Sequence, residues 1–217
     1  MAGKKSLKLL SAKTLQKLRP LPDATVWEIC DQYRFLSAET AESPGPWRTD
    51  VVPHLKEPLE CYRNKSVQKI ILKFGIQLAK TEFILCILFY IFLRKPGSSM
   101  IMFPKKETAK NEFSAKRLSP MIRDSKALRN VFPKAKRKDK LIDMKDQKTY
   151  IGGSVKLVGT DKTDLASTPV RDLFVDEVAK FSGVVAGEGD VFDLAEGRTS
   201  NFFDAKHIYT SSPAEEG

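Results

Sequence analysis

Histidine and cysteine are nearly missing from this chain: His54, His207, Cys30, Cys61 and Cys86 are all that 217 residues contain. The cysteines are odd in number and far apart, and no Cys/His pair has metal-ligand spacing. That excludes a disulfide framework and a zinc site, and it points to an intracellular compartment. A membrane-spanning segment is lacking too. The longest apolar run, Phe83 to Leu93, has 11 residues between Lys80 and Glu82 on one side and Arg94 and Lys95 on the other. Spanning a bilayer takes roughly twenty, so a buried helix is expected there. Residues 1–20 contain no acid, only Lys4, Lys5, Lys8, Lys13, Lys17 and Arg19 among leucines that share a helical face. They read as a basic arm or short helix, without the apolar centre of a signal peptide. No internal repeat or low-complexity tract is present.

What is there has ordinary globular proportions, with 41% hydrophobic and 29% charged residues, enough for one domain with a substantial core. The balance of 37 Lys and Arg against 27 Asp and Glu leaves a net charge of +10, which favours a polyanionic partner such as nucleic acid. The most basic internal stretch, Lys134 to Lys148, is expected as an exposed loop. Residues 25–40 read as an amphipathic helix with Val26, Ile29, Tyr33 and Leu36 on one side. A second helix is expected over Pro53 to Arg63 and a third over Lys105 to Arg123. Strand-like runs occur at 69–73, 99–103, 154–159, 171–175 and 206–210. Their lack of polar alternation predicts strands covered on both faces. Strands alternating with helices predict an α/β layer with right-handed crossovers.

Two motifs carry chemistry in this frame. Leu173-Phe174-Val175 is a short apolar strand ending in Asp176-Glu177, which delivers two carboxylates to a strand's carboxyl end, where ligands bind in open α/β sheets. After the strand at Ile70-Ile71-Leu72 comes Phe74-Gly75-Ile76-Gln77-Leu78-Ala79-Lys80-Thr81, in front of a helix-length segment. A phosphate-binding loop needs backbone N–H groups at a helix start and a mobile lysine, in the pattern G-x-x-x-x-G-K-[ST]. Here Lys80-Thr81 is intact, but Phe74 and Ala79 stand where the two glycines belong. Taken alone, the window fails the pattern and reads as a helix cap in front of an apolar helix. With the paired acids, it reads as a P-loop nucleoside triphosphatase: Asp176 holds Mg2+ through water, and Glu177 orients and deprotonates the attacking water. Gly187-Glu188-Gly189-Asp190 reads as a turn, and Ser211-Ser212-Pro213 ends a strand where it could contact a γ-phosphate.

The ordered series of motifs resembles the phage terminase large subunit, in particular its lambda-type family. The series is Ser43 to Asp50 (SPGPWRTD), Gln77 to Glu82 (QLAKTE), Arg117 to Asp124 (RLSPMIRD), Leu165 to Arg171 (LASTPVR), Phe174 to Val178 (FVDEV), Gly187 to Asp190 (GEGD), Leu194 to Thr199 (LAEGRT) and Ser211 to Pro213 (SSP). That family is a DNA-packaging motor, an ATPase domain followed by a nuclease domain. The resemblance implies the additional-strand, catalytic-Glu class of P-loop ATPase over residues 46–217, behind an N-terminal helical arm over 1–45. It implies ATP and Mg2+ as cofactors. Gln77, Leu78, Ala79, Lys80, Thr81 and Glu82 would form the phosphate segment, Thr81 and Asp176 the Mg2+ site, and Glu177 the catalytic base. Ser211 and Ser212 would couple hydrolysis to movement, while the trans-acting arginine is assigned to no residue. The implied partners are double-stranded DNA, the small terminase subunit, the procapsid portal and further copies of the chain, in the cytoplasm of a bacterial host and without a membrane.

The chain departs from that family's pattern at Ala79, where a methyl group crowds a position normally held by glycine. It also ends at Gly217, directly after the coupling serines, so the nuclease domain is expected to be absent and the chain reads as a truncated, prophage-type member. Two rival readings stay open. One is a remnant that binds DNA or terminase partners without hydrolysis. The other is a helicase-like ATPase, which Asp176-Glu177 also suits.

Overall fold

The computed structural model of the chain describes residues 23–132, 143–161, 165, 169–181 and 190–213. The basic arm, residues 134–142 of the basic stretch, residues 166–168, and the glycines at 187 and 189 lie outside them.

The first helix, α1 (Val26–Tyr33), begins where Thr25 and Glu28 form a reciprocal cap. The Thr25 hydroxyl accepts from the Glu28 N–H, and the Glu28 carboxylate accepts from the Thr25 N–H. The helix predicted to run on to residue 40 stops at Arg34, whose backbone is extended. Its side chain is drawn inward, and Phe35–Leu36 (β1) pairs antiparallel with Gly45–Pro46 (β2). The buried stripe is therefore Val26, Ile29 and Cys30, whereas Tyr33 is exposed. These residues share the main core with the rest of the chain, so this part of the expected arm is packed into the domain. A 3-10 turn at Pro53–Leu55 leads into α2 (Lys56–Arg63).

Among the described residues seven strands form one sheet in the order β3 (Lys69–Lys73), β9 (Lys206–Ser211), β8 (Asp172–Asp176), β4 (Ser98–Met102), β7 (Gly153–Val158), β6 (Gln147–Tyr150) and β5 (Asp143–Met144). The first five run parallel, and β6 and β5 add on antiparallel. This is the expected α/β layer. The central strand β8 is buried at every position, as an unbroken apolar run predicts. β3 corrects the same expectation. It is an edge strand with Ile70 and Leu72 inward and Ile71 70% exposed, because only one of its faces is covered. The expected basic loop is corrected as well: Asp143–Tyr150 is a hairpin, Lys148 is buried within it, and the Asp146 carbonyl accepts from the Leu157 N–H.

The helix α3 (Lys80–Arg94) follows the loop after β3 and packs against α1 and α2. Every residue from Phe83 to Phe89, together with Ile91 and Phe92, is buried. The apolar run is thus a core helix, and no helix among the described residues is long and apolar enough to cross a membrane. The helix expected over 105–123 is present as wide π-type turns over Thr108–Leu118 that pass into α4 (Ser119–Asp124). The last helix, α5 (Val191–Glu196), is capped by the Asp190 carboxylate.

Candidate functional site

Parallel strands that share a direction bring their carboxyl ends to one rim, and the sequence motifs fall there. The segment 74–79 leaves β3, Asp176 ends β8, and Ser211 ends β9 between them. The register pairs Lys73 with Ser211 and Asp176 with Thr210. Lys80 and Asp176 are therefore not on adjacent strands: one strand, β9, is inserted between theirs.

The loop into α3 takes left-handed backbone at Gln77 and Ala79, both with φ of 61°. That conformation is natural for glycine and strained for alanine. It turns the chain so that Ala79 caps α3 and its carbonyl accepts the Phe83 N–H. The Lys80 ammonium lies back over the loop, donating to the carbonyls of Phe74 (3.2 Å) and Gly75 (2.9 Å) and to the Ser212 hydroxyl (2.8 Å). Leu78 and Ile76 face solvent. Glu82 stands apart from this group. Its carboxylate pairs with the buried Arg34 and lies 3.9 Å from Arg117.

Asp176 is buried, and its Oδ1 accepts from the Thr210 hydroxyl (2.6 Å) and the Glu177 N–H (2.9 Å). Burial raises its pKa above the ordinary carboxylate value, and the neighbouring Glu177 charge adds to the rise. The Thr210 hydrogen bond and the Lys80 charge oppose it. Glu177 has a left-handed backbone with φ of 61°, which turns the chain out of the strand at once. Its Oε1 accepts from Lys180 (2.7 Å). Thr81, Asp176 and Glu177 line one cavity of about 170 Å3 with Phe103, Thr108 and Arg117.

Ser211 and Ser212 touch both halves of the rim. Ser212 receives Lys80, whereas the Ser211 hydroxyl accepts from the Ala179 N–H (3.1 Å), two residues after Glu177. A hydroxyl, a buried carboxylate and a second carboxylate around a cavity form the hard oxygen set that Mg2+ takes, alongside phosphate oxygens. The residues therefore fit a Mg-nucleotide. Among the described residues no group of three or more His, Cys, Asp or Glu could hold a metal ion by itself.

Thr210, His54 and Arg117 were not singled out in the sequence. Thr210 precedes the serines on β9 and fixes Asp176. His54 Nε2 lies 3.3 Å from the Leu78 carbonyl, and its ring meets Phe74 edge-on at 5.5 Å, clasping the loop from α2's side. A threonine within a strand and a lone histidine carry no local signal. Arg117 did fall within a family-like motif, but its place beside the paired acids depends on the sheet order.

Comparison with known proteins gives the family and the fold. The family described as phage terminase large subunit gpA, ATPase domain, matches residues 41–217. The terminase large subunit of Enterobacteria phage P21 is 23% identical over 205 residues, 94% of this chain and 31% of that protein. The crystal structure of the HK97 bacteriophage large terminase superposes with a TM-score of 0.61 at 17% identity, over 86% of this chain and 37% of the other. A large terminase from a thermophilic bacteriophage gives 0.50 at 16% identity, over 73% and 39%. The chain thus spans about a third of the length of these relatives, and it shares with the solved structures a P-loop NTPase fold.

Proposed function

The chain belongs to the phage terminase large subunit gpA ATPase-domain family, and from that premise we propose that it binds and hydrolyses ATP as the motor domain of DNA packaging. The reading places the ATPase domain at residues 46–217 and the work in the cytoplasm of the bacterial host. Its partners would be double-stranded DNA, the small terminase subunit, the procapsid portal and further copies of the chain.

One observation carries the proposal. Lys80, Ser212 and Asp176 sit at the carboxyl ends of three successive strands, and β9 is in contact with both outer groups. Lys80 is the mobile cation for the β- and γ-phosphates, exchanging its three present acceptors for phosphate oxygens. Backbone N–H groups at the start of α3 add the helix's positive end. Thr81 and Asp176 would hold Mg2+, which neutralises phosphate charge when bound. Glu177 is the base: leaving Lys180, its carboxylate orients a water and takes its proton. Ser212 reports on Lys80 and Ser211 on the turn that carries Glu177, which suits the pair to link hydrolysis to movement.

The deciding experiment measures ATP affinity and DNA-stimulated turnover for the wild type and for Glu177→Gln. The amide cannot serve as a base, so turnover should drop by about 10²-fold or more with affinity nearly unchanged. Wild-type chain that binds ATP without turning it over would favour the non-hydrolysing remnant. Unaltered turnover in Glu177→Gln would remove Glu177 from the chemistry.

A further inference from the structure

The pole of the sheet opposite Lys80 holds a second cleft, at the amino ends of the parallel strands. It has a volume of about 370 Å3 and is lined by side chains from the end of α2, from the end of α3 and from the turn before β9. Its inner aromatic walls are Tyr62 and Tyr90, whose rings meet edge to face at 6.2 Å. Tyr62 is fixed from behind, because its hydroxyl donates to the buried Asp172 at 3.0 Å. At the mouth stands Phe203, 96% exposed, a large apolar ring that no packing requirement explains.

Around these rings the charge is positive. Lys95 lies over the Tyr62 ring at 5.6 Å and pairs with Asp204 at 3.1 Å. Lys206 is buried, its ammonium held by the carbonyls of Asn64 and Val67. Lys65 is exposed beside it. Among the described residues Asp204 is the one acid in the lining, and Lys95 already occupies it, so the cations of the cleft exceed its anions. Burial and the proximity of Lys95 lower the pKa of Lys206, and the Asp172 and Asp204 carboxylates oppose the shift; an anion entering the cleft would act in the same sense as those carboxylates.

Cations beside exposed and half-exposed rings match one ligand chemistry, a phosphate linked to an unpaired base, since stacking on aromatic faces tolerates any base and the backbone follows positive charge. We propose that this amino-pole cleft binds a single-stranded segment of nucleic acid. In this arrangement a phosphate sits among Lys65, Lys95 and Lys206, and a neighbouring base stacks on Phe203. The rim with Lys80 lies a β9 length away, about 20 Å for six residues, so the two sites are separate and the inference does not rest on ATP hydrolysis.

The test is fluorescence anisotropy on the 217-residue chain without nucleotide, using a labelled oligothymidylate of about 15 nucleotides and a duplex of equal length. Phe203→Ala should weaken oligothymidylate binding about fivefold or more and leave the duplex nearly unchanged. Lys65→Gln should weaken binding and lower the salt slope by about one. Lys80→Ala, at the other pole, should bind the strand as the wild type does. Both Phe203 and Lys65 are exposed, so their variants should keep the wild-type thermal midpoint. Wild-type strand affinity in Phe203→Ala and Lys65→Gln, equal loss on duplex and strand in Phe203→Ala, or loss of strand binding in Lys80→Ala would each overturn the proposal.

Discussion

Ser212 accepts a hydrogen bond from Lys80 at 2.8 Å, joining the residue that opens α3 to the residue that follows β9. The contact ties together the carboxyl ends of two parallel neighbours, β3 and β9, at the rim where a phosphate would meet the lysine.

Removing that contact separates binding from coupling. In Ser212→Ala, Lys80 keeps the carbonyls of Phe74 and Gly75, so stability should change by about 1 kcal/mol or less. ATP affinity should hold, while stimulation of turnover by DNA should fall. Titration calorimetry and a coupled ATPase assay with and without DNA check this. Intact stimulation would remove Ser212 from the coupling path.

Ala79→Gly should improve the loop. At φ of 61° an alanine costs about 1–2 kcal/mol relative to a right-handed position, and glycine returns most of that while losing about 0.5–1 kcal/mol in chain entropy. The expected net is a small rise in thermal midpoint and a severalfold tighter ATP affinity. A lower midpoint would show that the Ala79 methyl, which packs against the core, matters more than its backbone strain.

Asp176→Asn should raise the melting temperature at pH 7 while abolishing Mg-dependent nucleotide affinity. The folded pKa of Asp176 is raised by burial, so the fold prefers the protonated acid. That preference is fully present below the unfolded value, about pH 4, and is lost as pH rises through the folded value. Asparagine keeps an oxygen for Thr210 and Glu177 and has no charge to bury. The advantage of the variant should shrink as pH falls toward 4, and differential scanning calorimetry across pH reads it directly. A variant that melts lower than the wild type at pH 7 contradicts the account.

Arg34→Met should unfold more easily by about 3 kcal/mol. The guanidinium is buried between partners: the Glu82 carboxylate, the Cys86 sulfur at 3.1 Å and the Trp47 ring at 4.4 Å. Burial lowers its pKa, but the Glu82 carboxylate, with Cys86 and Cys30, outweighs that and raises it above the ordinary value. Its loss leaves Glu82 with Arg117 alone. Urea denaturation measures the change, and an effect below about 1 kcal/mol would assign these contacts little weight.

Much of this architecture was legible because its signals are local. The unbroken Leu173-Phe174-Val175 and the apolar α3 announce burial on all sides, and Asp176-Glu177 and Lys80-Thr81 announce a strand end and a helix start. What stayed hidden depends on pairing between distant segments. Ile71 reads as a core residue, yet it faces solvent because β3 lies at the edge. Residues 143–148 read as a solvated basic loop, yet β7 provides a strand for them to join. Tyr33 fits a helical stripe, but Arg34 leaves the helix to reach Glu82, 48 positions away. The insertion of β9 between β3 and β8 has no trace in either motif.

The helix that begins at Lys80 continues into the core, with nine buried residues from Phe83 onward. Its starting point can therefore not drift independently of the interior. Volume changes far from the rim, at Ile87 or Phe89 for instance, will be felt as altered lysine placement, so an interior defect and a nucleotide defect should share one phenotype in this protein. Assembly of the loop is in this sense the last turn of core formation, and the affinity of the rim is a gauge of how well the interior has set.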